Sequence, residues 1–303
     1  MTSYRIAGAP ISWGVCEVPG WGYQLRPSRV LTEMHEVGLT ATELGPTGFL
    51  PADPVAAAGA LAAHRLGAIG GFTPVVMHVP AHDPLGEIGH VLDGYAATGS
   101  TVLALAAVSG SEGYDRRPVL GDEGWRVLLG NLDRISALAG ERGVRAVLHP
   151  HVGTMVESGE DVQRALEGCS VPLCLDTGHL LIGGSDPAEL ARRSPGRIAH
   201  VHLKDVDAPM AARVRSGALD YAEAVRKGMY RPLGSGDVDI AGIVDQLESS
   251  GYEGWYVLEQ DTALVGEPFG EGPVTDVRAS FEFIRKVLGK WPSGPARPAL
   301  RQE

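Results

Sequence analysis

Short apolar runs alternate with longer helix-patterned segments along this whole chain, and few folds accept such a pattern. RIAGAPISW (residues 5–13) reads as a first strand, and PSRVLTEMHEVG (27–38) as a helix entered at Pro27 and closed by Gly38. TATEL (40–44), a strand within IGGFTPVVMHV (69–79) and TVLALAAV (101–108) read as strands two to four. Helical segments at 53–67 and 83–99 separate them. TVLALAAV is continuous and apolar, as a strand buried on both faces should be. The second half repeats the unit, with strands expected at 144–151, 171–177, 197–205 and 254–260. Its helices are expected at 122–142, 160–168, 186–194, 239–251 and 274–289, with a partly helical insertion at 207–233.

Eight strand–helix pairs in this order predict an α/β fold, a parallel eight-stranded (β/α)8 TIM barrel with an insertion after strand seven. A doubly wound sheet would also alternate, but no G-x-G-x-x-G follows the first strand. Residues 1–289 are expected to form one barrel domain, since 303 residues suit a single barrel with insertions. Residues 290–303 form a Pro-rich tail that either packs loosely or reaches a neighbouring subunit of a homo-oligomer.

Composition narrows the function. A net charge of −11 without any Lys/Arg run argues against a nucleic-acid partner, because such a surface repels a phosphate backbone. No apolar stretch is long enough to span a membrane, and the first residues lack the pattern of a signal peptide. Three cysteines, Cys16, Cys169 and Cys174, make no disulfide framework, and the expected compartment is the cytoplasm.

In a TIM barrel the chemistry sits at the C-terminal ends of the strands. Here those ends carry ionisable groups: Glu43, His78, His149 and His151 of HPH, Asp176 and His179 of LDTGH, His200, His202 and Lys204 of HVHLKD, and Glu259 of LEQD. Buried charge at so many strand ends is costly unless paired or metal-bound. Period-two alternation puts His200, His202 and Lys204 on one side of their strand, and His149 with His151 on one side of theirs. A mixed nitrogen and oxygen set of His149, Asp176, His202 and Glu259 suits Mn²⁺, Co²⁺, Fe²⁺, Ni²⁺ or Zn²⁺ rather than Ca²⁺. Mn²⁺ is favoured, as no thiolate is placed to select Zn²⁺ strongly. His151, Glu157 and His179 are candidates for proton transfer, and Lys204 for holding a substrate oxygen. Glu43 and His78 are expected to line the pocket, Arg231 to enter it from the insertion, and Trp13 to be either a sugar-stacking platform or a core aromatic.

These motifs resemble the xylose-isomerase-like barrel superfamily, the sugar phosphate isomerase/epimerase group, and within it most closely the inosose (2-keto-myo-inositol) dehydratases. The resembling segments are PISWG (10–14), TELG (42–45), HPHVGT (149–154), LCLDTGHLLIGG (173–184), RIAHVHLKDV (197–206), PLGSGDVDI (232–240) and GYEGWYVLEQD (251–261), in the same order along nearly the whole chain. The resemblance implies a divalent metal on Asp176, His202 and Glu259, with His149, His151 or Glu157 as the strand-five ligand. It also implies a small polyol or sugar substrate and an enzyme that removes a proton next to a carbonyl. Loss of a β-hydroxyl then gives dehydration, the expected reaction. Reprotonation would instead give a ketose isomerase or epimerase on a free or phosphorylated sugar. A C-glycoside β-eliminating lyase, an endonuclease IV-type nuclease and a non-catalytic sugar-binding protein are more remote readings of the same barrel.

Overall fold

The alternation closes into a barrel in a computed structural model that describes residues 5–111, 113–114 and 117–291. In chain order the strands are β1 (Ile6–Gly8), β2 (Ala41–Glu43), β3 (Gly67–Val75), β4 (Val102–Ala107), β5 (Arg145–Leu148), β6 (Leu173–Asp176) and β7 (Ile198–Leu203). A small ribbon follows, β8 (Asp205–Val206) with β9 (Tyr230–Arg231), and β10 (Tyr256–Leu258) is the last strand. All neighbours in the barrel are parallel, in the order β1-β10-β7-β6-β5-β4-β3-β2, whereas β8 and β9 pair antiparallel. No helix among the described residues is long and apolar enough to cross a membrane.

The crossovers are helical. They comprise α1 (Pro27–Val37), α2 (Pro54–Ala63), α3 (Leu85–Thr98), α4 (Asp122–Glu141), α5 (Gly159–Gly168), α6 (Thr177–Ile182), α7 (Pro187–Arg193), α8 (Ala208–Arg215), α9 (Tyr221–Arg226), α10 (Ile240–Ser249) and α11 (Val274–Leu288). Polar residues just before them fix where many begin. Ser158 and Asp161 form a reciprocal capping box on α5, and Asp53, Asp186, Asp207 and Asp239 each accept a backbone N–H at a helix start.

Alternation sorts the strand side chains into two layers. Val201 and Leu203 of β7 and Tyr256 and Leu258 of β10 join the large apolar cluster between sheet and helices. Their inward neighbours are small: Ala7, Ala41, Ile69 and Val257 form one patch, and Val102, Ala104, Val147 and Cys174 another. The barrel floor is therefore apolar, and the polar residues lie at the strand ends above it.

Several boundaries differ from the sequence expectation. The first strand stops at Gly8, because Pro10 cannot donate to a ladder and opens a 3-10 turn over Pro10–Trp13, closed by Gly14 at φ 82°. The second helix ends at Ala63 rather than 67, so that Gly67 begins β3. That strand ends at Val75, leaving His78 three residues past it. Between β2 and β3 the register shifts at Thr42/Glu43, where Glu43 pairs with Gly70. Gly70 has φ 136°, and a Cβ there would lie 1.7 Å from the Val102 carbonyl oxygen, so only glycine permits this bulge. The sixth strand gives way at Thr177 to the short helix α6, and the insertion resolves into α8, α9 and the ribbon. Of the tail, residues 292–303 lie outside the described residues.

A candidate metal centre at the strand ends

Two parallel pairings bring the central residues together. Asp176 sits opposite His202 in the β6–β7 register, and Val257, two residues before Glu259, sits opposite His202 in the β10–β7 register. His149 follows β5, with its backbone N–H still donating to Leu105 O. Donor atoms of His149, Asp176, His202 and Glu259 then all lie within 4.8 Å of one another, and all four residues are buried. One ion with ligand bonds of about 2.0–2.2 Å bridges such a span with sub-ångström adjustment.

The Asp176 carboxylate is divided between two tasks. Its Oδ1 accepts the N–H groups of Gly178 and His179 at 2.9 and 2.7 Å, capping α6. Its Oδ2 turns to the centre, 3.2 Å from His149 Nε2 and 3.6 Å from His202 Nδ1. Glycine follows in DTGH because a Cβ at Gly178 would sit 2.7 Å from Lys204 Cβ. The Thr177 hydroxyl ties β6 to the end of β7, donating to Lys204 O at 2.7 Å and accepting from Lys204 N at 2.8 Å. Ser12 does the same for Glu259: its hydroxyl donates to Leu258 O and accepts from Gln260 N.

The donor set fits a cation. His202 Nδ1 lies 2.5 Å from Glu259 Oε2 without a hydrogen bond between them, and among the described residues the Lys204 ammonium at 3.1 Å is the other charged group on that oxygen. A buried imidazole nitrogen and carboxylate oxygen brought this close are what a shared ion would satisfy. The other nitrogen of His202, Nε2, donates to Glu43 Oε1 at 3.0 Å. A carboxylate behind a ligating imidazole fixes its tautomer, here leaving Nδ1 free. Glu43 takes a second bond from His200 Nε2 at 3.1 Å. Burial would raise the Glu43 carboxyl, but His202 beside it and the bonds from both histidines hold it well below the usual carboxylate range. Asp176 is held low in the same way, its burial outweighed by Lys204, His179 and the histidine contacts.

Cys174 lies nearer the centre than the sequence implied. Its Sγ groups with His149 and His202, and burial pushes the thiol up to about 11.

Above this centre opens a cavity of about 210 Å³. His151 and His179 form one wall, with ring centroids 3.7 Å apart. Burial, reinforced by the neighbouring imidazoles, lowers both: His151 to about 3 and His179 well below its ordinary value. His151 Nδ1 donates to Val152 O at 2.7 Å, which leaves Nε2 as the lone-pair nitrogen. His179 is 1% exposed and has no partner at either nitrogen. The cavity is also lined by Lys204 and Asp261, paired by a short Nζ–Oδ1 contact, and by Tyr221, whose ring centroid is 5.9 Å from that of His179. Cys16 also lines the cavity, but burial, with Glu17 beside it, pushes its thiol up to about 12, too high for a nucleophile.

The structure thus brings His149, Asp176, His202, Glu259, Glu43, His151, His179 and Lys204 together at the cavity or directly beneath it, and leaves four of the expected residues beside it. Trp13 is 0% exposed and donates its Nε1–H to Glu33, so it is a core aromatic, and it is Trp21 that reaches the cavity. Glu157 accepts from Gly153 N at 2.9 Å and pairs with Arg117, bracing the HPHVGT loop rather than lining the pocket. Arg231 pairs with Asp207 on the ribbon, and His78 is half-buried beyond β3, neither of them at the cavity wall. Tyr221 was not anticipated. Asp261, the last residue of LEQD, was read as lying just beyond the eighth strand, two residues after Glu259 and therefore on the same face.

Asp205, next to Lys204, faces away from the centre. Its two oxygens accept N–H groups from Gly234, Gly236, Val238 and Val206 at 2.8–3.0 Å. A Cβ on Gly236 would lie 2.4 Å from Asp205 Oδ1, which explains the second glycine of PLGSGDV.

The model of the family described as xylose isomerase-like TIM barrel matches residues 33–287. A protein of Geobacillus thermodenitrificans named inosose dehydratase is 31% identical over 298 residues, covering 94% of this chain and 97% of that one. The structure of an L-ribulose 3-epimerase superposes with a TM-score of 0.70 at 16% identity, covering 95% of each chain. That of the IolI protein with a bound zinc atom gives 0.69 at 14%, covering 96% of this chain and 100% of that one. At such identities these two structural matches speak to the fold alone.

Proposed function

The chain belongs to the xylose isomerase-like TIM barrel family, and on that premise we propose that it is a divalent-metal-dependent lyase that dehydrates an uncharged keto-polyol, in the manner of an inosose dehydratase. One observation carries this reading. Four ligand-type donors converge at the bottom of a cavity that also holds two neutral imidazoles and one ammonium.

His149, Asp176, His202 and Glu259 would hold the ion, with Mn²⁺ favoured for a mixed nitrogen and oxygen set. When bound it supplies Lewis acidity toward a substrate carbonyl and the neighbouring hydroxyl. The rest falls to the chain. His151 Nε2, neutral and facing the cavity, removes the proton α to the carbonyl. The Lys204 ammonium, which also lines the cavity, stabilises the charge that develops on oxygen. The departing β-hydroxyl takes the proton back from His151 and leaves as water, so the imidazole ends as it began. His179, packed against His151 and without a partner of its own, receives a substrate hydroxyl.

Among the described residues no phosphate cradle lines the cavity, which favours an unphosphorylated substrate. Lys204 is the one Lys or Arg among the described residues that line the cavity, and it is already paired with Asp261 and Glu259. Reprotonation without loss of hydroxide would make the same site an isomerase or epimerase, so the product decides. Incubation with 2-keto-myo-inositol and with a panel of free ketohexoses, each with Mn²⁺, is read by NMR. The expected result is an unsaturated or diketo product from the inosose and no change in the ketoses. A new ketose epimer or aldose, with the inosose intact, overturns the dehydratase reading. A reducing cytoplasm is the compartment this reading places the protein in, and its three cysteines are free.

A further inference from the structure

The cavity carries a chain of short polar contacts that proton abstraction does not use. Tyr221 opens α9, in the insertion after β7, and its hydroxyl donates to Asp261 Oδ2. That hydroxyl is also 2.9 Å from Tyr230 Oη on the ribbon. The other oxygen of the same carboxylate, Asp261 Oδ1, takes the Lys204 ammonium. Tyr221, Tyr230, Lys204 and Asp261 are at most 8% exposed. Around them pack Trp21, Ala224, Val225 and Met229, an apolar cluster separate from the main core, so the insertion is anchored where it meets the cavity.

Lys204 also has rival partners. Its Nζ is 3.1 Å from Glu259 Oε2 and 3.7 Å from Asp176 Oδ2. Those are the oxygens that face the metal centre, so an ammonium resting on them competes with a divalent ion for the same lone pairs. Asp261 offers the ammonium another seat, and Tyr221 fixes which way that carboxylate turns. We propose that Tyr221 is a positioning residue that, through Asp261, draws the Lys204 ammonium toward the cavity wall and so loosens its hold on the metal-ligating oxygens of Glu259 and Asp176. The insertion after the seventh barrel strand thereby sets the metal affinity of a centre to which it supplies no ligand.

This inference rests on the metal-centre reading above but needs no substrate, so it is tested by binding of Mn²⁺ alone. The full-length chain is stripped with chelator and titrated with Mn²⁺ as wild type, Y221F, K204M and Y221F/K204M. Tyr221→Phe changes no charge and keeps the ring in the apolar cluster, so a general electrostatic effect cannot mimic it. The expected result is Mn²⁺ affinity about 3- to 10-fold weaker in Y221F than in wild type, with no difference between Y221F/K204M and K204M, the signature of coupling through Lys204. Unchanged affinity in Y221F overturns the inference. So does an equal loss with and without Lys204, which would make Tyr221 merely structural. A wild-type chain that binds no divalent ion overturns the metal centre itself, an outcome distinct from both.

Discussion

Glu43 shows how one residue's role changes once its partners are known. Read from the sequence it is a strand-end carboxylate expected to touch substrate. In the fold it also stands behind His202, accepting from Nε2 and so presenting Nδ1 to the centre. Loss of a carboxylate behind a ligating histidine typically costs about 10- to 100-fold in metal affinity. Glu43→Gln is therefore expected to weaken Mn²⁺ binding by that order in a calorimetric titration while leaving the fold intact. Wild-type affinity in this variant would return Glu43 to a purely substrate-facing role. The residues most legible in the sequence were those fixed by strand position, since Asp176 ends β6, His202 stands one residue before the end of β7, Glu259 one residue past β10, and His149 directly follows β5. Glu157, Arg231 and Trp13 were placed by residue type or proximity in sequence, and each finds a local partner away from the cavity. Tyr221 carried no signal at all. It lies in an insertion without periodicity, and only the packing of that insertion brings its hydroxyl to Asp261.

At the level of elements, the order of strands and helices was readable because burial on both faces of a strand and one face of a helix leaves different periods. Boundaries were less so. Pro10 and Gly14 convert the end of an apolar run into a 3-10 turn, and Asp176 caps a helix one residue after its strand ends. The ribbon β8–β9 and the loop behind it were legible only as an insertion, because what organises them is a single buried carboxylate. Asp205 satisfies four backbone N–H groups, three of them in the loop at 234–238. Its replacement by alanine strands those donors, and unsatisfied buried donors cost roughly 1–3 kcal/mol each where water cannot reach them. A drop of several degrees in melting temperature is expected for D205A by scanning calorimetry. A melting curve superimposable on wild type would mean that the loop is held by its apolar neighbours instead.

For the whole molecule, the barrel separates stability from chemistry. Below the strand ends its interior is filled by small apolar side chains, and at the strand ends it collects histidines and carboxylates that would be costly without a partner for their charge. The insertion then covers one side of the opening and adds Tyr221 to the cavity wall. The proposed chemistry requires that a cation occupy the centre during turnover. The most direct measurement is a titration of Mn²⁺ into chelator-stripped protein while consumption of 2-keto-myo-inositol is followed. Activity is predicted to start near zero and rise to a plateau at one ion per chain. Full turnover in the presence of excess chelator, with no response to added Mn²⁺, would contradict the account.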